Sequence, residues 1–377
     1  KTMRKHLFDS FNQFVRSNEE YSWEELKSIE RRRRAVLRRS SLPFWRILTF
    51  WDGTCLRILV HDVLFWISIA IFVGIRCQAR WGIPDAVSDL DSNDIGVIGG
   101  FLSFFLVFFV VQSNNRFDTL YAKSMVGENK IFDVAMIAKA SLPIERAKRL
   151  VRYMNAAHVA AYVGISEVYS QDNFYNEVDK SHPMLTREEM GRINTIGMDT
   201  DGSCYRELVS WAMVEIQSSL KEGYLDPRNA SHLRGLLCDF REAMATIYEL
   251  VDQPILFFYV HFISLLSFLY LPLFAVSAAY NAGTGEDSYW TSEVVAGLIV
   301  MLQNIFVIGL RVLGLKMADP YGDDIEDLSV MHYVTFTYIM SNRILASLPP
   351  GPVDAKVEDN FGHSRESIGD AFEQESW

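Results

Sequence analysis

The apolar stretch "IGVIGGFLSFFLVFFVV", residues 95–111, decides the fold class of this chain. It contains no charged residue, and its length comes close to the ~20 residues that an α-helix needs to cross a bilayer core. Helices in the cores of soluble proteins rarely stay apolar on every face for so long. The stretch therefore predicts a membrane-spanning helix.

Three further blocks are predominantly apolar and close to this length or longer, residues 61–77, 254–280 and 294–315. The mean hydropathy of the chain is slightly positive (+0.07) although 22% of its residues are charged, so the apolar residues are concentrated in blocks. The 25 Phe, 16 Tyr and 8 Trp suit lipid contact and interfacial belts. Strand-like alternation is lacking. The sequence predicts an all-α membrane protein with four transmembrane helices and additional cytoplasmic helices.

The distribution of charge predicts the orientation. Arg31 to Arg34, with Arg38 and Arg39, precede the first span, which is the positive-inside signal and suits anionic headgroups. The loops at 78–94 and 281–293 are short and mainly acidic. Four spans then leave both termini on the cytoplasmic or equivalent side. The net charge of −11 argues against nucleic acid as a partner.

The chain divides into six predicted segments. They are a cytoplasmic N-terminal segment with a basic helix (1–50), spans one and two (51–118), a cytoplasmic helical region (119–252), spans three and four (253–316), an acidic segment with a helix (317–344) and an acidic tail (345–377). In the first segment, Ser22 and Glu25 have the spacing of a helix capping box. The region 119–252 carries apolar residues at three- and four-residue spacing, typical of amphipathic helices.

Catalytic motifs are lacking. No GxSxG, HExxH, Walker or GxGxxG pattern occurs, and the eight histidines are scattered. The four cysteines have neither CxxC spacing nor a companion histidine cluster, which predicts plain thiols at Cys55, Cys77, Cys204 and Cys238. We expect that the protein is not an enzyme.

The second span carries phenylalanines at helical spacing. Gly100, Phe104 and Phe108 are four residues apart and share one face, and a neighbouring face holds Phe101, Phe105 and Phe109. One face could meet lipid while the other meets protein or a pore. Because phenylalanine is ordinary in membrane helices, periodicity alone favours lipid or core contact over a pore. The polar residues 112–116 mark the inner membrane boundary, with Arg116 snorkelling or paired.

The stretch "MADPYGDDIEDLS", residues 317–329, gathers five carboxylates just after the fourth span. It fits the start of a helix, with Asp319 as N-cap and Pro320 at the first position. It also fits a solvated loop. Thirdly, Asp324 and Asp327 would face the same way on a helical turn, and carboxylates with backbone carbonyls suit Ca²⁺. The spacing is not that of an EF-hand.

Three stretches, "MADPYGDDIEDL", "SFFLVFFVVQSNNRF" and "DQPILFFYV", resemble the acidic signature, the pore helix and the start of the third span of the bestrophin family. The resemblance covers most of the chain. It implies a homopentameric channel for chloride and bicarbonate, with one central pore in the plasma membrane or an organelle membrane such as that of a plastid or thylakoid. It places the hydrophobic neck at Gly100, Phe104 and Phe108. Animal members carry a bulky aliphatic residue where this chain has Gly100.

The resemblance also implies activation by Ca²⁺. Asp324 and Asp327 would be side-chain ligands, and Lys316 and Asp319 would offer backbone carbonyls together with one from the N-terminal segment. Two residues depart from the family pattern. Lys316 replaces an amide residue, and its ammonium would weaken the site if it turned inward. Asp319 replaces asparagine and adds a compensating negative charge.

Two other classes of function are compatible with four spans. A membrane-anchored scaffold would use the basic helix and the acidic tail to bind partners and would not conduct. A secondary transporter would need broken helices or inverted repeats, and the sequence has neither. The polar inner end of span two and the clustered acids favour the channel.

Overall fold

The computed structural model describes residues 21–39, 45–46, 54–81, 92–197, 203–282 and 289–347. Within these residues the protein is helical and has no strand. The α-helices are α1 (Trp23–Arg39), α2 (Cys55–His61), α3 (Val63–Arg80), α4 (Ser92–Ser141), α5 (Ile144–Ala160), α6 (Asn176–Ser181), α7 (Arg187–Ile196), α8 (Ser203–Lys221), α9 (Pro227–Asp252), α10 (Phe257–Asn281), α11 (Tyr289–Ala318) and α12 (Val330–Ala346). A short π-helix, Gln171–Tyr175, lies between α5 and α6.

In the part of the chain that the structure describes, four helices are long and apolar enough to cross a membrane, which agrees with the predicted number of spans. They are α3, α4, α10 and α11. The first begins directly after Asp62, whose carboxylate accepts a hydrogen bond from the backbone N–H of Leu64 (2.8 Å) and so caps the helix. The third begins at Phe257, three residues later than residue 254 of the sequence prediction.

Helix α4 joins the membrane part to the inner part of the molecule. Its 50 residues correspond to a rod about 75 Å long, and only residues 95–111 form the apolar stretch. The outer half packs against α10 and α11, and the inner half against α9 and α12. The predicted division between residues 118 and 119 lies inside this helix.

The apolar residues form separate cores in the two parts. The inner core is built from α1, the inner half of α4, and helices α5, α8, α9 and α12. The membrane part is built from α2, α3, α4, α10 and α11. This separation follows the sequence, since the inner helices are amphipathic and the spans are apolar all round.

Two ion pairs connect the first span to the fourth. Arg311 of α11 pairs with Asp62 at the start of α3. Towards the other end of the spans, Arg76 pairs with Glu293 (Nη2 to Oε1, 2.9 Å) and donates to the backbone carbonyl of Ala279 (3.0 Å). Charged groups in membrane helices are costly unless they are paired. The pairs therefore fix how α3 and α11 lie against each other.

Two local predictions are confirmed. Ser22 and Glu25 form the capping box of α1, with Glu25 N–H donating to Ser22 Oγ (3.3 Å) and Ser22 N–H donating to Glu25 Oε2 (2.9 Å). All four cysteines are free. Residues 1–20, much of both short loops and the tail from 348 lie outside the described residues, so the orientation, the carbonyl from the N-terminal segment and the character of the tail stay predictions.

Candidate functional site

One face of α4 packs against α10. The ring of Phe109 is 1% exposed and meets the ring of Tyr259 at a centroid distance of 5.8 Å. Phe105 meets Phe262 edge to face at 5.4 Å, and the hydroxyl of Tyr259 donates to the carbonyl of Phe105 (3.0 Å). This face is therefore committed to contacts within the chain.

The opposite face of α4 is left open. Phe104 is 66% and Phe108 56% exposed, and a Cβ added at Gly100 would have no neighbour within 4 Å. Phe101, which the sequence groups with Phe105 and Phe109, is also 63% exposed. Residues four apart drift by about 40° around a helix axis, so Phe101 has turned away from the buried face at the outer end.

The open side continues beyond the apolar stretch, and we call it the uncovered face of α4. Within the span its exposed members are Val97, Gly100, Phe101, Phe104, Val107, Phe108 and Val111. Further inward they are Gln112, Asn115, Asp118, Thr119, Ala122, Val126 and Asn129. The face is thus apolar inside the span and mainly polar beyond it. No other described segment of the chain covers it.

Arg116 lies just beyond the apolar stretch of α4 and binds the backbone of two neighbouring segments. Its Nε donates to the carbonyl of Ala318 at the end of α11, and its Nη1 to the carbonyl of Gln253 just before α10 (both 2.9 Å). Of the two roles that the sequence left open, snorkelling or pairing, the structure shows pairing with backbone carbonyls. Arg116 thereby joins the inner ends of three spans.

The acidic residues lie in a loop, residues 319–329, which we call the acidic loop. No helix begins at Asp319, so the helix-start interpretation is wrong; α12 begins at Val330 instead. The side chain of Asp319 accepts the backbone N–H of Tyr321 and so caps a turn. Tyr321 is fully buried and shares a hydrogen bond with Ser124 of α4 (2.9 Å), which draws the chain inward and prevents a helix here.

Arg33 of α1 lies inside the acidic loop with only 2% of its surface exposed. Its guanidinium donates to three loop carbonyls, those of Gly322 (2.7 Å), Asp324 (2.9 Å) and Leu328 (3.2 Å). It also donates to the hydroxyl of Tyr169 (3.2 Å) and lies 3.5 Å from Oδ2 of Asp327. The sequence prediction had placed this arginine among residues near lipid headgroups, which is wrong for Arg33.

A signal for this position was present in the sequence. The buried residues of α1 are Leu26, Ile29, Glu30 and Arg33, which are spaced as one helical face. Arg31 and Arg32 lie off this face and are exposed. Helical periodicity therefore separates Arg33 from its neighbours in the basic run.

Lys316 also turns towards the acidic loop. Its Nζ lies 3.3 Å from Oδ1 of Asp324 and 2.7 Å from Oε2 of Glu326. This is the arrangement that we expected to weaken a cation site. Asp324 and Asp327 thus lie in the same loop, as predicted, but each already has a cationic partner.

The ionised form of the loop's carboxylates is nevertheless disfavoured. Burial raises the pKa of Asp319 and of Asp324, and it raises the pKa of Asp327 to about 8, helped by the nearby charge of Asp324. The Arg33 charge acts in the opposite direction but does not prevent the rise. Such carboxylates would gain from a further cation.

The donor atoms suit a hard cation. Asp327 Oδ2 (3.1 Å), Asp319 Oδ2 (3.6 Å) and the Asp319 carbonyl (3.8 Å) surround the point where a Cβ on Gly322 would stand. A side chain at Gly322 would press against the Asp327 carboxylate, and oxygen donors of this kind fit Ca²⁺. Among the described residues no three His, Cys, Asp or Glu side chains are placed to hold a metal. Backbone carbonyls would have to complete the site, and bound Ca²⁺ would compete with Arg33 and Lys316.

Comparison with known proteins gives the following matches. A family model described as "Bestrophin, RFP-TM, chloride channel" matches residues 33–346. The chain is 21% identical over 335 residues to Bestrophin-6 of Caenorhabditis elegans, covering 87% of this chain and 86% of that protein.

Solved structures of a bacterial Bestrophin homolog from Klebsiella pneumoniae are similar in fold. One has a TM-score of 0.62 at 15% identity and covers 78% of this chain and all of the other. A single-residue variant of that protein has a TM-score of 0.63 at 13% identity, covering 75% and 97%. The helical architecture with four candidate membrane spans is thus shared.

Proposed function

Because this chain belongs to the bestrophin family of chloride channels, we propose that five copies of it form an anion channel that conducts chloride and bicarbonate. Membership of a channel family also confirms the expectation that the chain is not an enzyme. In the proposed assembly, five copies of α4 surround one central pore.

The uncovered face of α4 carries this proposal. An uncovered face that is apolar inside the span and mainly polar beyond it fits a pore that leads into an aqueous inner vestibule. The face runs along the helix from Val97 to Asn129 without being covered by any other described segment. Five such faces around an axis would form an apolar neck followed by a polar vestibule.

The neck of the proposed pore is formed by Gly100, Phe104 and Phe108. Rings of phenylalanine can close a narrow pore by excluding water, and their positively polarised edges tolerate an anion. Gly100 adds no side chain, so the constriction would depend on the two phenylalanine rings. Selectivity would then rest on ring edges and backbone amides rather than on rings of arginine.

The acidic loop is the proposed site of regulation by Ca²⁺. Asp324 and Asp327, with the carbonyls of Lys316 and Asp319, would hold the ion, whose charge would neutralise the buried carboxylates. The raised pKa of the buried Asp327 carboxyl, whose ionised form a bound cation would stabilise, and the oxygen atoms close to Gly322 support this role. The loop is joined to α4 through the hydrogen bond between Tyr321 and Ser124, and the carbonyl of Ala318, the residue before the loop, accepts a hydrogen bond from Arg116 of α4. Binding of Ca²⁺ to the acidic loop would therefore act on α4 through these contacts.

Recordings from the purified protein in planar bilayers under asymmetric chloride test the proposed conduction. We expect currents that reverse near the chloride equilibrium potential, and a mass of five subunits in native mass spectrometry. A correctly folded protein that passes no current at any Ca²⁺ concentration would favour the membrane-anchored scaffold.

Replacing Lys316 by Gln is expected to strengthen Ca²⁺ binding about tenfold, or about 1.4 kcal/mol. The substitution removes a positive charge that lies 3.3 Å from Asp324 Oδ1, and part of its effect is lost to solvent screening. Isothermal titration calorimetry on the purified channel measures the affinity. The Lys316→Arg variant keeps the charge and serves as the control. If both variants bound Ca²⁺ with equal affinity, the positive charge of Lys316 would not compete with the ion.

A further inference from the structure

We propose that Arg33 is a tethered cation: it binds three carbonyls of the acidic loop, lies beside the Asp327 carboxylate, and competes with free Ca²⁺ for that carboxylate. The inference deepens the proposed function, on which it rests for the identity of the competing ion. In this proposal, α1 stabilises the conformation of the acidic loop when no metal is bound.

The contacts of Arg33 are those of a bound ligand rather than of a surface side chain. All three nitrogens of its guanidinium are used, and they reach three carbonyls, one hydroxyl and the vicinity of one carboxylate. Burying an arginine is costly unless its donors are satisfied and its charge is matched. Here both conditions are met by a loop that lies about 290 positions away in the chain.

The type of partner points to substitution for a metal ion. Backbone carbonyls and carboxylates are the ligands that Ca²⁺ prefers, and Arg33 binds the carbonyl of Asp324 and lies beside the carboxylate of Asp327. These two residues are the proposed side-chain ligands of the ion. While Arg33 is in place, the Asp327 carboxylate has a cation beside it and the Asp324 carbonyl is hydrogen-bonded.

Two further contacts attach α1 to the same loop. Near the start of the helix, the hydroxyl of Tyr21 donates to Asp323 (2.9 Å). One helical turn before Arg33, Glu30 accepts a hydrogen bond from Ser329, the residue before α12. Arg33 therefore approaches the loop as part of a docked helix, and its withdrawal requires the helix to shift. Ca²⁺ affinity would accordingly depend on how firmly α1 is docked.

The test compares Arg33→Gln with Arg31→Gln, a matched loss of charge at an exposed position of the same helix. Thermal unfolding of the full-length purified protein is followed with EDTA, with Ca²⁺ and with Mg²⁺. We expect Arg33→Gln to unfold several degrees below wild type in EDTA and to recover in Ca²⁺ but not in Mg²⁺. Wild type and Arg31→Gln should respond little to Ca²⁺. Calorimetry should show Ca²⁺ binding at least about tenfold tighter for Arg33→Gln than for wild type.

The proposal is overturned if Arg33→Gln is as stable as Arg31→Gln in EDTA, or if its Ca²⁺ affinity equals that of wild type. Should Arg33→Gln fail to fold, Arg33→Lys decides, because it keeps the charge but not the fork of donors. An intermediate rise in Ca²⁺ affinity supports the proposal, and a wild-type affinity overturns it. None of these measurements needs a current, so a failure of conduction would count against the proposed function alone.

Discussion

Replacing Phe104 and Phe108 together by Ala is expected to raise the anion current at least about tenfold under conditions in which the wild-type neck is closed. The change would remove ten rings from the neck of a pentamer and allow water to enter it. Because both rings are exposed in the protomer, their loss should change the free energy of unfolding little. Bilayer recordings and thermal unfolding of the same preparations measure the two effects.

Phe109→Ala is the matched control for the neck. It removes the same side chain from the same helix, but from the buried face against Tyr259. We expect a loss of about 3–5 kcal/mol in stability, as for other buried phenylalanines, without widening of the pore. Unchanged currents from the Phe104 and Phe108 double variant would contradict the placement of the neck at these residues. The proposal that the protein is a channel would be unaffected.

Replacing Arg311 by Met is expected to destabilise the membrane part by about 3–5 kcal/mol. The substitution keeps most of the apolar stem but leaves Asp62 without its cationic partner where α3 begins. An unpaired carboxylate at the edge of the hydrocarbon core is costly, and the contact between α3 and α11 would loosen. The midpoint of thermal unfolding in detergent or lipid discs measures the loss.

A double-mutant cycle isolates this ion pair. Asp62→Asn removes the other charge, and the double variant with Arg311→Met leaves neither charge unpaired. We expect the double variant to lose clearly less stability than the sum of the two single variants. Arg311→Lys should lie close to wild type, since it keeps the charge. Strict additivity of the two single effects would show that the pair contributes nothing to the packing of α3 against α11.

Local sequence patterns were sufficient to predict the membrane-spanning helices and the cap of α1. Length and apolar composition predicted four spans, and the structure has four helices that qualify. The spacing of Ser22 and Glu25 predicted the capping box of α1, because both partners lie within one helical turn. The resemblance of three short stretches predicted the family to which the chain belongs. These conclusions depend on neighbours in the chain.

The partners of the polar groups were decided by the tertiary structure. Arg33 was grouped with a basic run near the membrane, yet it lies buried against carbonyls of residues 322, 324 and 328. For Asp319 the sequence left a helix start and a loop open, and the structure shows a loop in which Tyr321 is buried against α4. In the same way, periodicity grouped the phenylalanines of α4 on two faces of the helix. Only the packing of α10 against Phe105 and Phe109 showed which of these faces stays open. A sequence fixes the side of a helix on which a residue lies, whereas the group that meets it there comes from distant parts of the chain and is set by the packing of the whole fold.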